Sequence, residues 1–431
     1  MSAALATTRP GAFWLFEFAV GGTTYKHSIA APGYASDASG QYDGTGIELG
    51  SLTQRLPDWR GGIASMTLDV VFSDVDRSFG RIIEGSGGRG VRDADATVYL
   101  AHPDVAKANW YTFFVGEIAT WGWPEPGKAR VTLRTKDRAL RYDVPKSGWI
   151  LSSADWLNAP QESISRLAPI IYGTHSSEQT TIEGAVPCIY VDETNYKWLV
   201  CAGWAKAVNN VYVDGEKQPA ADYDILHPVV RGRQYTVIQF DADPGAGESV
   251  EVSADVEGLE DNADGTGDLI EDPPAVLAHF LSNFVFADWM KGAWNATNSI
   301  IDTTSFADTY FSDRGAIAAV YISERVRGYD RMDDLAVSFG VSLYWGNDGT
   351  LRWEVQKPQR ADAYTSTALR WDRDNVTPMS SEQPEDRATS ITCQYGYDSA
   401  REDYSHSLTV REPYIEDEQP DNMEMSWGAA Q

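Results

Sequence analysis

Glu260, Asn262, Asp264, Gly265 and Glu271 stand at the spacing of a calcium-binding loop, with oxygen-bearing side chains at alternate positions, glycine at the sharp turn and glutamate at the last position. Carboxylate and amide oxygens are what a hard cation takes, and this spacing can wrap one. Three features stand against it. The first ligand is Glu260 where Asp is usual, Gly267 holds the eighth position in place of an apolar residue, and the preceding residues read as a strand where the motif requires a helix. Whether Glu260, Asn262, Asp264 and Glu271 bind Ca²⁺ therefore stays open beside the preferred reading, a solvated acidic turn that caps the helix after it.

Asp69, Asp74 and Asp76 suggest paired carboxylates for glycoside hydrolysis, a chemistry that needs two acids across a sugar cleft. With 63 acidic residues in the chain such clusters arise easily by chance, so strand-end solvation is preferred for all three. His27, His102, His175, His227, His279 and His406 are scattered, with no HExxH and no close His/Cys pair. No Walker A motif, GxSxG elbow or dinucleotide-binding GxGxxG occurs, and the glycine-rich run from Glu84 to Gly90 is followed by no helix signal, so it reads as a loop. Tryptophan and tyrosine rings that stack on sugars would also serve core and subunit packing, the simpler reading. No catalytic, cofactor-binding or metal-ligating residue is named, and the chain is expected not to be an enzyme.

The elements that would position these residues are mostly strands. Residues 13–20 run into Gly21-Gly22 and on to His27 as a β-hairpin, and short strands follow at 47–49, 63–72, 96–100, 111–118 and 129–135. Residues 1–146 are expected to form an all-β barrel or sandwich. Residues 147–168 read as a connection. Strands at 186–191, 198–202, 210–214, 235–240 and 249–256 then make a second β domain over 169–258. Glu271-Asp272-Pro273-Pro274 opens a helix over 275–287, in which Val276, Leu277, Phe280, Leu281, Phe284 and Val285 form an apolar stripe. A second helix is expected at 329–339 with its face unsettled, and a hairpin at 341–345 and 351–355 follows, so 259–360 reads as a small α+β unit. Residues 391–397 and 404–410 form one more strand pair within 361–431. Two strands cannot bury a core alone, so this pair is expected to pack on the N-terminal domain or on another subunit. The fold class is mainly β with a small α+β unit.

The 431 residues exceed one compact core, and 15 Trp and 21 Tyr argue for a folded chain. A net charge of −28 with no basic run argues against specific nucleic-acid binding. Cys188, Cys201 and Cys393 form no CxxC pair, so buried free thiols in a reducing cytoplasm are preferred over a Cys188–Cys201 bridge. The N-terminus has no basic region and no long apolar core, and reads as neither signal peptide nor membrane span.

The order of segments resembles the tail-tip or baseplate hub proteins of tailed bacteriophages. It is carried by Gly116-Glu-Ile118, Leu133-x-x-Lys-Asp137, Pro169-Ile-Ile-Tyr-Gly173, Ala185-Val-Pro187, Val211-Tyr-Val-Asp-Gly215, Asp264-Gly265, Pro273-Pro274 before the apolar helix, and the hairpin through Leu343-Tyr-Trp345 and Asp348-Gly349 to Leu351. The resemblance spans most of residues 10–410. It implies a structural virion protein at the tail tip, made in the host cytoplasm, a homotrimer whose first and last domains form a barrel ring on the tail tube. Tail tube or distal tail proteins and tip or fibre proteins would be its partners, with DNA passing through the ring. A hexameric distal tail ring is the alternative, and a virion-borne carbohydrate-active or carbohydrate-binding protein is the rival from another class. The sequence departs from the resemblance in showing no evident extended C-terminal region, such as a lysozyme-like or fibre module.

Overall fold

The computed structural model describes residues 13–28, 36–37, 40–41, 43–44, 46–55, 62–85, 91–102, 105–177, 184–245, 250–286, 300–302, 305, 311, 313, 315–355, 390–398, 403–411 and 422–426. The fold is multidomain and rich in β structure, built from several sheets that include one half-barrel. That half-barrel is an eight-stranded sheet with the order Asp43–Gly44, Thr23–Ser28, Phe13–Val20, Asp95–Ala101, Tyr111–Glu125, Lys128–Arg134, Ser65–Ser73 and Glu48–Arg55. The first hairpin turns at Gly21 and Gly22, with φ of +61° and +82°, the positive values that a two-residue hairpin turn asks of both central positions. Ser65–Ser73 buries Met66, Leu68, Val70 and Phe72 in strict alternation. Phe72 meets Phe16, Phe79 and His27 in one aromatic core.

A charged group also lies inside this unit. Arg134 is 8% exposed, donates Nε–H to Glu117 Oε1 at 2.7 Å and pairs with Asp93. Burial raises the Glu117 carboxyl, with Arg134 opposing the shift. A cluster of this kind tolerates the loss of neither partner, because the one left behind is a buried charge.

Residues 174–259 supply two five-stranded sheets. One has the order Thr174–His175, Val252–Leu259, Ala205–Val213 and Glu216–Lys217, with Val186–Pro187 also on Val252–Leu259. The other runs Ile189–Asp192, Lys197–Ala202, Arg233–Phe240 and Tyr223–Leu226, with Val229–Val230 on Arg233–Phe240. The single strand expected at 186–191 is thus two, and the chain passes between sheets at Cys188. Asp255 is buried between the buried Ala254 and Val256, so its strand does not alternate there. It is 1% exposed and accepts from Ser177 N at 2.8 Å, Asn210 Nδ2 at 2.7 Å and the Tyr212 hydroxyl at 2.8 Å, which is how a carboxylate is tolerated inside.

The helix after the acidic turn is Pro273–Phe280, with prolines in its first turn, and it continues as a π turn over Leu281–Val285. All six residues of the expected apolar stripe are buried. The later helix, Gly328–Phe339, ends at Gly340 in the left-handed region and buries Arg331, Met332, Leu335 and Ala336, so a buried arginine sits on the face that apolar spacing left unsettled.

Strands within residues 259–360 also pair with earlier segments of the chain. Val320–Ile322 pairs with Ile170–Tyr172, and the Val341–Trp345 and Leu351–Val355 hairpin takes Gly62–Ile63 of the N-terminal unit as a parallel third strand. Asp333 Oδ1 accepts Ile63 N at 2.8 Å, the Tyr329 hydroxyl donates to Asp137, and Arg325 Nε donates to the Pro145 carbonyl at 2.7 Å. Near the C-terminus, Ser390–Asp398 and Asp403–Arg411 form the expected strand pair, antiparallel, with Asn422–Ser426 added in parallel. Among the described residues this three-stranded sheet shares no strand pairing with the half-barrel. The packing of its side chains lies outside the described residues.

Candidate functional site

The acidic loop is built around Glu260. This side chain is fully buried, with Oε1 accepting the backbone N–H groups of Asp264 at 2.6 Å and of Gly265, and Oε2 accepting that of Gly267 at 3.1 Å. Lys206 Nζ stands 3.9 Å from Oε2 and donates to the Gly267 carbonyl. A calcium loop turns oxygens toward its centre, whereas this loop turns N–H groups inward and seats a carboxylate among them, the polarity of an anion nest. Gly267 is required, since a Cβ there would lie 2.3 Å from Asp261 Oδ1 and 2.6 Å from Asn262 N. Asp264 Oδ1 accepts from Thr266 N at 2.9 Å and Thr266 Oγ1 at 2.6 Å, and these bonds hold its carboxyl below the usual range. The acidic turn is solvated at Asp261, Asn262 and Asp264 as expected, but its helix-capping role is corrected: Glu260 is buried and caps its own loop, and the helix starts at Asp272 without a side-chain cap hydrogen bond.

The three aspartates of the N-terminal unit serve local structure. Asp74, 3% exposed, accepts Phe79 N at Oδ1, 2.9 Å, and the Trp123 indole N–H at Oδ2, 3.0 Å. Asp76 accepts Ser78 N at 3.1 Å, a bond that lowers its carboxyl, and Asp69 accepts the Thr132 hydroxyl at 2.7 Å. Together Asp74 and Asp76 start the Ser78–Gly85 helix, which the sequence reading missed. Aspartates just before Ser78, with Phe79, Ile82 and Ile83 at helical spacing, were the signal for it. The glycine-rich run lies outside the described residues from 86 to 90.

Among the described side chains the histidines do not converge. His27 lies in the aromatic core, His227 stacks on Trp204 at 3.8 Å between centroids, His175 Nε2 is 3.2 Å from the Tyr172 carbonyl, and His279 Nδ1 shares a 2.8 Å hydrogen bond with the Tyr172 hydroxyl. Burial pushes His279 down to about 3 and the Tyr172 hydroxyl well up. No group of three or more His, Cys, Asp or Glu is placed to hold a metal among the described residues. Cys188 and Cys201 are buried free thiols, and burial pushes Cys201 up to about 12 and Cys188 still higher.

Clefts among the described residues include two that followed from no sequence motif. One, of about 630 Å³, lies at the second β unit and is lined by Glu162, Glu193, Asp243, Glu251 and Arg166 together with the stacked rings of Tyr190 and Trp198. The other, of about 720 Å³, lies between the start of Tyr111–Glu125 and the tip of the Val341–Val355 hairpin.

No protein-family model and no curated protein matches the sequence. Among solved structures, a chain from the virion of a native gene transfer agent particle matches with a TM-score of 0.27 and 12% sequence identity, over 59% of this chain and 83% of that one. A score of that size carries no inference about role. No helix among the described residues is long and apolar enough to cross a membrane.

Proposed function

We propose that this chain is a structural virion protein of a phage tail, the hub that ends the tail tube and connects it to tip components, acting through shape and contacts with no catalytic residues. One observation carries the reading. The half-barrel stops at Glu48–Arg55, an eight-residue strand whose outer edge pairs with no other strand among the described residues. Glu48, Gly50, Ser51, Leu52 and Thr53 are exposed along it. A row of unpaired N–H and C=O groups beside an exposed leucine is a surface that proteins bury by adding a strand from elsewhere. A subunit completed by its neighbours in a ring has that need.

The order of segments in the sequence supports a hub in particular, and with it a trimer over a six-copy ring. The side chains with the best claim to catalysis or metal binding, Glu260 and Asp74, are occupied by hydrogen bonds within the chain. Sedimentation of the purified full chain tests the assembly part. The hub reading predicts self-association to a trimer that Leu52→Lys weakens, since a charge on an edge strand blocks pairing. A chain that stays monomeric at every concentration and is indifferent to Leu52→Lys contradicts it.

A further inference from the structure

We propose that the cleft between Trp110–Thr112 and the tip of the Val341–Val355 hairpin binds a neutral, hydroxyl-rich saccharide unit. A sugar ring is recognised by a flat apolar surface under its C–H face and by directional groups around its edge that both give and take hydrogen bonds. Both are present. Trp110, Tyr111 and Tyr344 supply partly exposed rings, and Asn347, Asp348 and Arg352 supply the polar edge.

The polar groups are held in place before any ligand arrives. Asn347 donates Nδ2–H to the Tyr111 hydroxyl at 2.8 Å, across the cleft from hairpin to half-barrel, which fixes the amide and leaves its carbonyl oxygen to accept. Asp348 is fixed by Thr350 N at 3.1 Å, Thr350 Oγ1 at 2.7 Å and Arg352 Nη2 at 2.7 Å. Arg352 Nε is steadied in turn 3.1 Å from Asp302 Oδ2. Groups already immobilised lose little further freedom when a ligand binds.

Trp345 adds an independent pointer. Its side chain lines the cleft and is 2% exposed, and its indole N–H has no acceptor among the described residues. Buried donors in native proteins nearly always have a partner, and a ligand rich in oxygen offers one. The charged groups lining the cleft are one carboxylate and one guanidinium, paired with each other, which suits an uncharged ligand.

The proposal does not depend on where the chain is assembled, so it and the hub reading fail separately. Saturation-transfer NMR on the purified full chain, with glucose, galactose, mannose and N-acetylglucosamine as probes, tests it. We expect transfer to at least one of the four, with affinity reduced about tenfold or more by Tyr344→Ala and by Asn347→Ala and unchanged by Tyr190→Ala in the other cleft. Asn347→Asp, which keeps the side-chain shape and removes the donor to Tyr111, should also weaken binding and covers the case in which an alanine variant fails to fold. Four results would each overturn the proposal: no transfer to any of the sugars, transfer indifferent to Tyr344 and Asn347, equal loss in Tyr190→Ala, or equally strong transfer to the neutral tripeptide Gly-Ser-Ala.

Discussion

Glu260 Oε2 accepts the backbone N–H of Gly267 at 3.1 Å, closing a loop around a buried carboxylate where an ion-binding loop would close around a cation. Glu260→Gln sets an amide N–H against the N–H groups of Asp264 and Gly265 or that of Gly267, whichever way it turns. The expected cost is about 1–3 kcal/mol in denaturant unfolding. A chelator should leave the melting temperature of the parent chain unchanged. A fall of several degrees on chelation, abolished by Asp264→Ala, would restore the cation reading.

Asp74→Asn meets the same difficulty, because Phe79 N–H and the Trp123 indole N–H both need an acceptor. We expect destabilisation of about 1–3 kcal/mol, read from the urea midpoint. Neither the parent nor the variant should release reducing sugar from polysaccharide. Release by the parent that disappears in Asp74→Asn would assign this aspartate a catalytic role.

The chain announced its local elements and hid its distant ones. Gly21-Gly22 marked the first hairpin and Pro273-Pro274 the start of a helix because turn and cap chemistry is written in neighbouring residues. The parallel pairing of Gly62–Ile63 with Val341–Trp345 joins segments far apart in sequence, and hydrophobic periodicity carries no record of such partners. Polar side chains turned inward were illegible for a related reason. Nothing in the spacing of Asp255, Glu260 or Arg331 along the chain gives a reason to place a polar side chain inside, yet all three are buried. The clefts combine residues from separate segments, so spacing along the chain gave no sign of them.

His279 makes stability depend on pH. Its ring is held down to about 3 in the folded chain against an ordinary value near 6.5, so above that ordinary value it is neutral whether the chain is folded or not. As pH falls below about 6.5 the unfolded chain takes up a proton that the folded chain refuses, and stability drops by up to about 1.4 kcal/mol per pH unit until the folded value is reached. Carboxylates add their own acid sensitivity, so the measurement is a difference. His279→Gln should unfold with a shallower pH dependence between about 6.5 and 4 than the parent. Parallel profiles would contradict the assignment.

Gly328 begins the helix that packs on residues 138–144 of the N-terminal segment, and a Cβ there would lie 2.7 Å from Leu140 Cα and 2.9 Å from its carbonyl oxygen. Backbone atoms cannot yield cheaply. Gly328→Ala should speed amide exchange in residues 328–339 and 138–141 together, with the sheets of 174–259 unaffected. Unchanged exchange in both segments would show that the contact is not needed to hold the two units.

The central claim is that the chain is built into the tail end of a virus particle. Immunogold electron microscopy of particles from the organism that carries the sequence, using antibody raised against the purified full chain, tests it most directly. The hub account predicts label at the end of the tail away from the capsid. Label on the capsid, or particles with none while the chain remains free in the lysate, would contradict it.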